Sequence, residues 1–121
     1  MRYGGWTFSV PAPFAGAYPP NCAGVYAVQV LNPGWKPNPF EPIYFGIAAD
    51  LSAQSVAAAH PSFRRWIAHP RAGTGLYFSY AALPSTGDTV LKNILAGLIA
   101  IYRPVSNDQG GPARGLADLA R

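Results

Sequence analysis

Seven residues, 25 to 31, form a valine-rich run broken only by Gln29, and this stretch limits the possible folds more than any other in the chain. A strand with one wet face alternates apolar and polar residues. A run that is apolar at nearly every position is instead expected to be a central strand, covered on both sides. The cover must come from a chain of 121 residues, long enough for one core and too short for two. Half of the residues are hydrophobic and 12% are charged, so the body of the chain is expected to fold. Its 13 prolines and 13 glycines are spread between the apolar runs, which points to short elements joined by turns and away from a helical bundle.

Residues 1–23 read as an N-terminal arm with one short strand, pinned to the body by Trp6, Phe8 and Phe14. After the central strand, residues 32–42 carry four prolines and the Asn32-Pro33-Gly34 turn signal, so a loop is expected there. Residues 43–48 then form a second strand, antiparallel to the first. Asp50 is placed to cap a helix over residues 53–59, which His60-Pro61 stops because the residue before proline avoids the α region. Pro61 opens a second short helix through residue 67. Residues 76–83 form a third strand, closed by Pro84.

Ser85, Thr86 and Asp88 offer start signals for the longest helix, with Asp88 as its N-cap. It runs to about Tyr102, where Pro104 ends it, and Leu91, Ile94, Leu95, Leu98, Ile99 and Tyr102 make its apolar stripe. The tail, 108–121, has a linker composition at its start and is expected to be flexible. These readings give an α+β fold in which a small three-stranded antiparallel sheet is flanked by helices, with residues 24–107 as the domain.

Nine bases against five acids give a net charge of +4, which favours anionic partners. Arg64, Arg65 and Arg71 lie within eight residues that contain no acid, with His60 just before them. The single cysteine, Cys22, has no internal partner for a disulfide, fits a reducing compartment, and is assigned to packing. No apolar h-region follows Arg2, and the longest apolar stretch, 94–102, is too short to cross a bilayer, so a cytoplasmic protein without membrane contact is expected. Neither His60 nor His69 has a cysteine or carboxylate near it at zinc-ligand spacing. No Walker-type loop is present, and Tyr77, Phe78 and Tyr80 are assigned to the core rather than to base stacking.

Gly24-Val25-Tyr26 and Tyr44-Phe45-Gly46 sit on the first two expected strands. An Asp50-Leu51-Ser52 helix start follows them, and Leu98-Ile99, Arg103-Pro104 and Asn107 close the series. In this order and spacing, residues 24 to 107 resemble the GIY-YIG nuclease superfamily. The resemblance implies a three-stranded antiparallel sheet flanked by helices and phosphodiester cleavage assisted by a divalent metal. Two tyrosines would lie near the attacking water, an arginine would stabilise charge at the phosphate, and a glutamate on the long helix would hold the metal.

By this resemblance Tyr26 and Tyr44 are the motif tyrosines, Gly46 is the motif glycine and Asn107 is the asparagine after the long helix. The arginine position, ten residues after the second tyrosine, holds Gln54, and the glutamate position, three residues before Leu98-Ile99, holds Leu95. Ile47 and Ala58 stand where many members place further polar groups. Leucine cannot ligate a metal and glutamine carries no charge. Glu41, the one glutamate of the chain, lies in the proline-rich loop. Asp88 is about 10 Å from Leu95 along the helix, too far to serve the same metal.

The leading expectation is a GIY-YIG-like domain that binds nucleic acid through Arg64, Arg65, Arg71 and His60, has lost hydrolysis, and needs no cofactor. A second is an endonuclease using Mg²⁺ with Arg64 or Arg65 as its cation and Asp88 or water at the metal. A third is a protein-binding module, regulatory or toxin-neutralising, on the same scaffold.

Overall fold

The valine-rich run is the middle of β4 (Gly24–Leu31), and its side chains are buried on both faces as far as Val30. The computed structural model from which this follows describes residues 2–13, 18–36, 38–52, 61–105 and 107. β4 pairs antiparallel with β5 (Phe40–Ala48) on one side and with β6 (Leu76–Ala82) on the other. Successive strand residues point to opposite faces, so β4 feeds two apolar layers. Tyr26, Val28 and Val30 pack with Ile43, Leu51, Trp66 and Phe78 on one face. Val25 and Ala27 pack with Tyr3, Phe8, Phe45, Leu91 and Leu98 on the other.

Among the described residues the sheet has four strands, not three. The addition is β3 (Ala12–Pro13), whose residues oppose Phe78 and Tyr77 of β6. A proline on an outer strand costs no ladder bond, since the N–H it lacks would face solvent. Ser9 extends the contact: its N–H donates to Tyr80 O at 2.8 Å and its Oγ accepts from Tyr80 N–H at 3.0 Å. β5 also starts earlier than expected, so residues 40–42 are strand and not loop. Val28 opposes Tyr44 but Gln29 opposes Pro42, which leaves Ile43 as the extra residue of a bulge on the edge strand. Pro42 is tolerated there because an edge strand at a bulge needs no donor from it.

The arm is more ordered than one short strand. β1 (Arg2–Tyr3) and β2 (Trp6–Thr7) form a separate two-stranded hairpin, turned by Gly4 and Gly5 at φ +56° and +87°. That turn needs positive φ at both central residues. Its anchors are Tyr3 and Phe8, while Trp6 remains 38% exposed; Phe14 lies outside the described residues. The Tyr3 ring meets those of Phe8, Phe45 and Tyr102 at 5.2, 5.4 and 5.4 Å. Its hydroxyl accepts from Gln29 Nε2 at 2.9 Å and donates to Phe40 O at 2.8 Å. Gln29 Nε2 also donates to Ser79 Oγ at 2.9 Å, which accounts for an amide inside a valine-rich strand.

α1 (Phe63–Ile67) directs Trp66 inwards and leaves Arg64, Arg65 and Ile67 exposed. A short 3-10 turn (Ala72–Thr74) leads from it to β6. The helix expected over residues 53–59 lies outside the described residues. At its proposed start, Asp50 Oδ1 accepts from Ser52 N–H at 3.0 Å and from Ser52 Oγ at 2.6 Å.

α2 (Asp88–Tyr102) lies against β5 and β4 through Leu91 and Leu98, with Ile94, Leu95 and Tyr102 beside them. Its N-cap is Gly87 and not Asp88, which is the first helical residue and pairs with Lys92 at 3.1 Å. The acid still suits the helix dipole from that position. Arg103, in the left-handed region at φ +46°, ends the helix just before Pro104. Among the described residues no helix is long and apolar enough to cross a membrane.

Candidate functional site

Tyr26 and Tyr44 project from neighbouring strands onto one face. Tyr26 opposes Gly46 across the β4–β5 ladder, and Tyr44 sits two residues before Gly46 on the same side of β5. A Cβ at Gly46 would run into the Cζ and Oη of Tyr26. Glycine at this position therefore lets the Tyr26 ring lie across β5 and reach its neighbour. The two rings are 6.1 Å apart, and their hydroxyls are hydrogen-bonded to each other. Phe78 stacks on Tyr26 at 5.5 Å, and Trp66 lies 5.2 Å from Tyr44, so the pair is walled in by aromatic carbon.

The hydroxyl chain continues. Ser62, at the N-terminal boundary of α1, is hydrogen-bonded to the Tyr44 hydroxyl, and the Arg65 charge acts on the same group. Burial pushes the Tyr26 phenol far above its usual range, and the neighbouring Tyr44 adds to the shift. Burial also raises Tyr44, against the opposing pull of its bonds to Tyr26 and Ser62 and of Arg65. A phenol held neutral is a hydrogen-bond donor, and it makes a poor general base or nucleophile near neutral pH.

Arg64, Arg65 and Arg71 are all exposed and follow one another along α1 and the turn after it. Arg71 N–H donates to His69 Nδ1 at 3.0 Å, which shapes that turn. No acid occurs from residue 61 to residue 75. His60, Gln54 and Ala58 lie outside the described residues.

The two remaining positions read from the sequence lie apart from the hydroxyls. Asn107 grips the backbone of β5: its Oδ1 accepts from Phe45 N–H at 2.6 Å and its Nδ2 donates to Phe45 O at 2.9 Å. It imitates a neighbouring strand at the residue next to Tyr44 and so positions that tyrosine. Leu95 is half-buried in the layer under α2, so the sheet lies between it and the tyrosine pair. A metal held as the resembled superfamily holds it does not fit the residues present, because Leu95 offers no oxygen and lies across the sheet from the tyrosines. Among the described residues no group of three His, Cys, Asp or Glu side chains is placed to hold a metal ion.

Ser62 carries no functional signal in the sequence, since its link to Tyr44 crosses 18 residues. A recess of about 520 Å³ lined by Cys22, Ile47, Ser85, Asp88 and Leu91 also had no sequence signal. No family model, curated protein or solved structure matches the chain.

Proposed function

We propose that this chain is a degenerate GIY-YIG-like domain that binds nucleic acid through its phosphates and has lost metal-dependent hydrolysis. The observation that carries the reading is the exposed Arg64, Arg65 and Arg71 along α1 and the turn after it, with the half-buried Tyr44 hydroxyl under the charge of Arg65 and the buried Tyr26 and Ser62 behind it. Exposed guanidinium groups recognise phosphate oxygens, and three of them in one stretch suit a polyanion. By sequence spacing alone, Leu95 and Gln54 stand where the resembled family has its metal ligand and catalytic arginine, and neither residue type can take that role. The endonuclease alternative would place Asp88 or water at the metal, and the Asp88 carboxylate is paired with Lys92 on an exposed turn of α2.

Labelled single- and double-stranded DNA and RNA, incubated with Mg²⁺ or Mn²⁺ beside a sample in EDTA, test the reading. The expected result is binding without EDTA-sensitive cleavage. Cleavage that survives purification and is abolished by Asp88→Ala or Arg64→Ala would replace this reading with the endonuclease. Absence of binding to all four substrates at low salt would replace it with the protein-binding module.

A further inference from the structure

We draw no further inference here: the strongest candidate, the apolar groove between the β1–β2 hairpin and α2 lined by Gly4, Trp6, Val90, Ile94, Gly97 and Ile101, carries nothing because no feature of the structure shows what covers it.

Discussion

Gly46 and Tyr26 show how much one missing methyl group can decide. The Tyr26 ring occupies the space a β-carbon at residue 46 would take, and β4 and β5 are held in register on both sides of the contact. Gly46→Ala is therefore expected to destabilise the fold by about 1–3 kcal/mol, as overpacking does, and to break the contact between the two phenols. Denaturant unfolding and the near-ultraviolet circular dichroism of the tyrosines measure both effects; an unchanged midpoint and spectrum would mean that the ring lies elsewhere.

The phenols also set a pH dependence. Tyr3, Tyr26 and Tyr44 all ionise later in the folded chain than in the unfolded one, with burial as the largest cause. The unfolded state thus loses its protons first. The contribution to stability is complete below the ordinary phenol value, about 10, and is lost as pH rises towards the folded values. Denaturation midpoints are expected to hold steady up to about pH 9 and to fall beyond about pH 10. Tyr26→Phe should make that fall shallower, at a cost near neutrality of about 1 kcal/mol for the lost hydrogen bond. The same slope in the wild type and the variant would remove Tyr26 from the explanation.

Among the elements, those with a strong local pattern were legible in the sequence and those made by distant pairing were not. The valine-rich run, the third strand and the long helix announce themselves through continuous apolarity, aromatic content or a three-and-four spacing. β3 has no such pattern: Ala12 and Pro13 are strand only because β6 has a free edge beside them. Residues 40–42 looked like loop because Pro42 argues locally against a strand, and only the bulge at Ile43 makes room for it. The site divides in the same way. The tyrosine pair was visible as two short motifs, while the roles of Ser62 and Asn107 depend on contacts across 18 and 62 residues.

Asn107 offers a test at this scale, since it ties the chain after α2 to the outer edge of β5. Asn107→Ala would leave the Phe45 N–H and C=O without these partners, for a loss of roughly 1–2 kcal/mol. Asn107→Asp keeps the acceptor for the N–H but not the donor to the carbonyl. Amide hydrogen exchange is expected to speed up at Phe45 in the alanine variant and less in the aspartate variant, with β6 unaffected. Equal protection of Phe45 in all three proteins would show that the clamp does not hold the strand.

At the scale of the whole molecule, charge has to do what specific contacts do not. The net +4 arises from scattered bases apart from Arg64, Arg65 and Arg71, which share one exposed stretch without acids. Recognition by such a stretch is expected to be tolerant of sequence, because phosphate contacts fix position without reading bases. If about three phosphates are neutralised on duplex DNA, counterion release gives a slope of log K against log salt of roughly −2.7. Affinity should then fall about fortyfold between about 50 and 200 mM salt.

Replacing Arg64 and Arg65 together by alanine should make the slope shallower by up to about 1.8 while leaving the melting temperature nearly unchanged, since exposed charges contribute little to stability. Tyr44→Phe is expected to weaken binding without changing the slope, because a neutral donor releases no counterion. Fluorescence anisotropy across a salt series separates these cases. A slope that is the same in the wild type and the double variant would move the binding surface away from α1, and no binding at the lowest salt would leave the paired tyrosines without a nucleic-acid role.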